Sequence, residues 1–138
     1  MTNPSDKSIP YQIQKLDAVH AQTLDPIDYA YQGHRDIVIT IRQPEFTSVC
    51  PMTGLPDYGT IVVKYMPDRK IVELKSLKFY LLQYRNVGVF YEHLVNRILD
   101  DLVLVLKPKW MEVQGHFTSR GGMTSDVVAQ FDPDEPKE

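Results

Sequence analysis

A single cysteine, Cys50, lies in Ser48-Val49-Cys50-Pro51-Met52-Thr53-Gly54-Leu55-Pro56-Asp57, a turn-rich stretch between two strand-like runs. With no second cysteine in the chain it has no internal disulfide partner, and it is a poor start for a zinc site. Two readings of the thiol stay open on type and spacing. It is a nucleophile, or it is a small buried hydrophobe, as free cysteine often is. Asp57, seven residues on, favours the first, because a thiol that attacks an electrophile needs a nearby group to manage protons. The same spacing also fits a buried thiol beside a solvated turn carboxylate.

A second stretch, Glu73-Leu74-Lys75-Ser76-Leu77-Lys78-Phe79-Tyr80, joins a strand end to a helix start. Two lysines beside a helix N-terminus suit an anion, since cationic heads and backbone donors point at one volume. A capped amphipathic helix with two solvated lysines fits equally. His20, His34, His93 and His116 are scattered without ligand spacing, so no metal site is expected. No nucleophile-elbow pattern and no G-x-G-x-x-G occur. Gly121-Gly122 reads as a turn, with Arg120 beside it able to reach a phosphate.

The elements that must hold these residues follow from periodicity. Ile37, Ile39 and Ile41 alternate with Val38, Thr40 and Arg42, a strand that Pro44 is expected to close. Residues 60–66 form a second β-branched stretch, and 69–73 a third limb of a meander or a short return. Ser76 is expected to cap a helix over Leu77–Tyr84, ended by Asn86 and Gly88. A longer helix spans 89–106, stopped by Lys107-Pro108. Its apolar stripe comprises Tyr91, Leu94, Ile98, Leu102, Val105 and Leu106, with Glu92 at the edge, where its carboxylate would be partly desolvated. Residues 110–117 and 123–130 complete the pattern as strands.

Strands and helices are segregated, so the class is α+β with an antiparallel sheet and two helices on one face. The expected division is an N-terminal arm at 1–33, one domain at 34–131 and a disordered acidic tail at 132–138. The edges at 34–42 and 123–130 invite closure by self-association. The composition, 138 residues with 43% hydrophobic, 24% charged and net charge −3, is that of an ordinary globular domain. It gives no electrostatic reason to expect nucleic acid or an anionic membrane as partner. No run approaches transmembrane length, and the polar start Met1-Thr2-Asn3-Pro4-Ser5-Asp6 does not read as a signal peptide. A lone cysteine without an export signal points to the cytoplasm.

Together these segments resemble the NADPH-dependent 7-cyano-7-deazaguanine reductases, nitrile oxidoreductases of queuosine biosynthesis, in their short single-module form. The resemblance is carried by Glu45-Phe46-Thr47-Ser48-Val49-Cys50-Pro51, Pro56-Asp57-Tyr58-Gly59 and Glu73 to Tyr80. Arg85-Asn86, Phe90-Tyr91-Glu92 and Phe117-Thr118-Ser119-Arg120-Gly121-Gly122 also match, over roughly residues 35–127. It implies a tunnelling fold, in which the sheets of several subunits form a barrel, as a pentamer or stacked pentamers with sites between subunits. It implies reduction of 7-cyano-7-deazaguanine to 7-aminomethyl-7-deazaguanine with two NADPH per nitrile and no metal. Cys50 would form a covalent thioimide and Asp57 would donate protons. Val72, Glu73, Leu74, Tyr91 and Glu92 would bind the base. Lys75, Ser76 and Lys78 would contact NADPH, with Arg120 a further candidate from its chemistry.

The chain departs from many relatives in carrying Tyr91 and Val87 where they have histidine, and His93 lies about 200° round the helix from residue 91. Leu94 stands where some relatives carry a second cysteine. Other readings stay open. A thiol-dependent nitrile amidotransferase would share the thioimide without hydride transfer. A non-catalytic purine- or pterin-binding protein would keep Glu92 but have no use for Cys50 with Asp57. Cyclising enzymes of this fold generally need a zinc cluster.

Overall fold

A computed structural model describes Ile9 and residues 11–135. Residues 1–8 and 10 of the expected arm, the polar start included, and 136–138 of the expected tail lie outside the described residues.

The framework is a long hairpin. Strand β2 (Ile39–Val49) pairs antiparallel with β3 (Pro56–Met66), β3 with β5 (Trp110–Arg120), and β5 with β6 (Met123–Phe131), in the order β2-β3-β5-β6. Short strands β1 (Pro26–Asp28) and β4 (Lys70–Val72) form a separate antiparallel pair. The return after Pro67 therefore pairs with the segment before β2 and does not extend the main sheet. Helices α1 (Leu74–Leu82) and α2 (Tyr91–Leu106) complete the chain.

Pro44 does not end β2. The ladder register shifts between Gln43 and Phe46, so one extra residue bulges out and pairing resumes as far as Val49. A bulge tolerates proline because the ladder needs no N–H there. It also reverses the alternation. Ile39 and Ile41 face the helices before it, Phe46 and Ser48 after it, opposite Tyr65, Val63, Gly59 and Asp57 respectively. A second shift, between Phe117 and Arg120 of β5, does the same in the β5–β6 ladder.

One sheet face packs on the helices. Leu94, Ile98 and Leu102 of α2 are fully buried against Ile61, Val63, Met111 and Val113. The opposite face carries Thr40, Arg42, Lys64, Gln114 and His116. Residue alternation decides this split, because successive side chains of a strand point to opposite faces. Gly115 lies under α2, where a Cβ would come within 2.8 Å of Val95 and 2.6 Å of the Phe117 ring.

The cap of α1 is Glu73, not Ser76. The Glu73 carboxylate accepts from the N–H groups of Lys75 (3.0 Å) and Ser76 (2.6 Å). Ser76 sits within the first turn, its hydroxyl donating to the Glu73 carbonyl (2.7 Å) and accepting from the Asp25 N–H (2.9 Å). Helix α1 ends at Leu82, before Tyr84, and α2 begins at Tyr91 and ends at Leu106, capped by Lys107 with φ +48°.

The segment before β2 straps the two helices. Val19 and Leu24 are buried in the core. Arg97 of α2 donates to the Val19 carbonyl (2.9 Å) and pairs with Asp101 (2.9 Å), which also accepts from the Tyr80 hydroxyl (2.6 Å). Burial pushes the Tyr80 and Tyr84 phenols upward, so both keep their protons and the network stays hydrogen-bonded. Asp132–Glu135 turn back on themselves through a 3.2 Å bond from the Glu135 N–H to the Asp132 carbonyl.

Candidate active site

Cys50 follows β2 directly. Its N–H donates to the Leu55 carbonyl (2.9 Å), and its carbonyl accepts from the Gly54 N–H (2.7 Å), which closes a tight loop. Gly54 has φ +72°, a conformation that costs glycine little and L-residues much. The last residue of β2 fixes what lies next to the thiol. The Val49 N–H donates to the Val87 carbonyl (3.1 Å), and the Val49 carbonyl accepts from the Val89 N–H (3.4 Å). These bonds lay the segment before α2 along the Cys50 loop, which brings the first turn of α2 to the thiol.

The result is a cavity of about 170 Å³ lined by Cys50, Pro51, Asp57, Val89, Phe90, Tyr91, Glu92 and Arg120. The Thr53 side chain hydrogen-bonds the sulfur and, with the Thr53 and Met52 N–H groups, holds the Cys50 thiol below its usual range. Burial and the Asp57 charge act against this shift. A partly exposed thiol with a depressed pKa has the character of a nucleophile.

Asp57 does not lie in a loop but on β3, only 5% exposed. Arg120 Nη2 approaches its Oδ1 at 2.6 Å and donates to the Pro56 carbonyl at 2.5 Å. The β5 bulge places Arg120 on the helix side of the sheet, where it reaches Asp57. Tyr91 stacks on Phe117 with ring centroids 3.7 Å apart and planes 4° apart. Its phenol is pushed up to about 12, first by burial, then by its hydrogen bond to Asp57 and the charge there. Glu92 lines the same cavity but is exposed, not partly desolvated as its place on the stripe suggested.

The cavity thus joins five of the residues singled out from sequence: Cys50, Asp57, Tyr91, Glu92 and Arg120. Val72, Glu73, Leu74, Lys75, Ser76 and Lys78 do not line it. They sit at the β4–α1 junction, with Val72 and Ser76 buried and Leu74, Lys75 and Lys78 exposed. The backbone donors expected to meet an anion there are taken by the Glu73 carboxylate. Sequence reasoning missed Thr53 as the partner of the thiol, although a hydroxyl three residues after a turn cysteine is a readable signal. It also missed the pairing of Arg120 with Asp57. Among the described residues no three His, Cys, Asp or Glu side chains cluster as a metal would require.

An antiparallel sheet covered on one face by two helices, with a thiol at the end of its edge strand β2, is the architecture of a tunnelling-fold enzyme. Residues 56–136 match the family model described as QueF-like protein. A Caldicellulosiruptor bescii protein named NADPH-dependent 7-cyano-7-deazaguanine reductase is 49% identical over 122 residues, covering 88% of this chain and 92% of its own. Proteins of the same name from Chlorobaculum tepidum and Elusimicrobium minutum are 50% and 56% identical, over 82% and 73% of this chain and 96% and 76% of their own. Among solved structures, the archaeosine synthase QueF-Like in the apo form matches with TM-score 0.63 and 22% identity, over 73% of this chain and 96% of its own. That likeness shows a shared fold. The chain belongs to the family of NADPH-dependent 7-cyano-7-deazaguanine reductases.

Proposed function

We propose that this chain reduces the nitrile of 7-cyano-7-deazaguanine to the aminomethyl group, a step of queuosine biosynthesis in the cytoplasm. The observation that carries the reading is the single cavity shared by a pKa-depressed thiol and a nearly buried carboxyl, in a chain of this family. Cys50 Sγ attacks the nitrile carbon and the nitrogen takes up a proton, which gives a thioimide. NADPH, two per nitrile, supplies the hydrides. After the first, the carbon–sulfur bond breaks and Cys50 is released as an imine forms. After the second, the nitrogen takes its last proton. Asp57 delivers protons to that nitrogen, and Arg120 holds the carboxylate that remains. Tyr91 and Phe117 present a stacked aromatic wall, and Glu92 accepts from the N–H edge of the base.

The remaining candidates support a site completed by a neighbouring subunit. Val72, Glu73 and Leu74, proposed for the base, and Lys75 and Lys78, proposed for NADPH phosphates, lie outside the Cys50 cavity of their own chain. Exposed lysines at the start of α1 fit a phosphate by charge, whereas the buried Ser76 hydroxyl is already paired. Among the described residues no strand pairs along the outer edges of β2 and β6, the bridge at Val49 apart, which suits a ring of pentamer type.

The test is NADPH oxidation on adding 7-cyano-7-deazaguanine, with NADH as control. Substrate-dependent oxidation of NADPH, absent in Cys50→Ala, is expected. A substrate bound without NADPH consumption would overturn the reductase reading and leave the amidotransferase and the non-catalytic binding protein.

A further inference from the structure

Among the described residues, the buried Ser48 Oγ has no hydrogen-bond partner, and Asp57 Oδ1 meets the Arg120 guanidinium at 2.6 Å as an ion pair without a bond of hydrogen-bond geometry. The two oxygens are neighbours. Ser48 and Asp57 face each other across the β2–β3 ladder, on the helix side, and Ser48 stands two residues before Cys50. Directly opposed residues hold their Cβ atoms about 4.5–5.5 Å apart, so rotation about one side-chain bond turns the Ser48 hydroxyl toward the carboxyl. Serine at this fully buried position (0% exposed) leaves its hydroxyl desolvated and unpaired.

The groups around Asp57 show what this hydroxyl supplies. Arg120 of β5, at 2.6 Å, can only donate, so it serves the carboxylate and opposes the acid. Tyr91 of α2 meets the carboxyl from the cavity, with its proton firmly held. Cys50 and Glu92, in the same cavity, are anionic when ionised and repel the carboxylate. A hydroxyl both donates and accepts without charge.

We infer that Ser48 is a positioning residue for the proton step, accepting from the Asp57 acid before each delivery and donating to the carboxylate after it. In each delivery the Asp57 O–H bond breaks and an N–H bond forms on the substrate nitrogen. The electron pair stays on the carboxylate, Ser48 keeps its own proton, and Asp57 is recharged from water through the cavity. The inference rests on reading Asp57 as the proton donor.

Ser48→Ala tests it, with kcat and KM measured against pH beside Asp57→Asn. Losing a donor to the anion destabilises the carboxylate relative to the acid, so proton delivery should persist to higher pH. The basic limb of kcat should move up by about one pH unit. At the optimum kcat should fall roughly tenfold with KM unchanged, the loss of one charge-assisted bond. The thermal midpoint should stay near that of the parent, because the hydroxyl has no partner in the resting structure and engages Asp57 only during turnover. A wild-type limb and kcat in Ser48→Ala, with Asp57→Asn inactive, would overturn the role of Ser48 alone. A drop in activity with a lower midpoint and an unmoved limb would reduce Ser48 to packing. Full activity in Asp57→Asn would remove the donor reading, and this inference with it.

Discussion

Cys50 and Asp57 are set apart by their surroundings more than by their chemistry as free side chains. Thr53 is the largest influence on the thiol, which it stabilises in the anionic form. Thr53→Val should therefore raise the thiol pKa, and the midpoint of the pH profile for alkylation by iodoacetamide should move upward. An unmoved midpoint would assign the depression to the backbone donors. Incubation with the nitrile and no NADPH should give one covalent adduct per chain by intact-protein mass spectrometry, absent in Cys50→Ala. Asp57→Asn should keep base binding and slow turnover roughly 10²–10⁴-fold, the usual cost of one acid–base group. Glu92→Leu should instead weaken binding of the base in calorimetry, and tight binding by that variant would remove Glu92 from recognition.

At the level of elements, the site depends on how closely α2 lies on β5. Gly115 permits that approach, and an added Cβ would strike the ring of Phe117, on which Tyr91 stacks. Gly115→Ala should cost about 1–3 kcal/mol in chemical denaturation, the range for overpacking a core. It should also lower activity by tilting the Tyr91 wall. Wild-type stability would mean that Phe117 has room to move. The N-terminus of α1 gives a pH-dependent case. Hydrogen bonds from the Ser76 N–H first, and also from the Lys75 N–H, hold the Glu73 carboxyl below its ordinary value in the folded chain. A carboxyl depressed on folding stabilises the fold above its unfolded pKa, about 4.3, and that contribution is lost as pH falls through the folded value. Glu73→Ala should thus melt below the parent at pH 7, and the gap should close well below pH 4. A gap unchanged with pH would show that the carboxylate does not act as the cap.

Among the described residues the main sheet has two open edges, and one chain divides the proposed substrate and NADPH groups between the Cys50 cavity and the β4–α1 junction. Assembly that closes the edges and joins the two patches answers both facts. Activity should fall on dilution below the assembly threshold, in step with the mass seen by light scattering. Inactive Cys50→Ala and Glu73→Ala chains should regain activity when mixed, if each contributes an intact patch to a shared site. A fully active monomer would refute the shared site.

Local patterning made much of this legible. The strand–helix–strand order, the extent of α2 and the two outer strands follow from periods of two and 3.6 residues, which depend only on near neighbours in sequence. The Cys50 loop was visible for the same reason, as a turn between β-branched runs. Register was not legible. The bulges at Pro44 and before Arg120 exchange inside for outside, and they decide that Ser48, Asp57 and Arg120 meet on the helix side. Nor did periodicity show that Lys70–Val72 would leave the main sheet for Pro26–Asp28. Ser76 was the natural cap by residue type, but the Asp25 N–H claimed its hydroxyl and left Glu73 to cap the helix. Each of these outcomes is settled by a partner distant in the chain. Sequence therefore named the residues with reactive side chains, whereas tertiary structure selected which of them share a cavity, because burial and pairing depend on what the fold brings alongside.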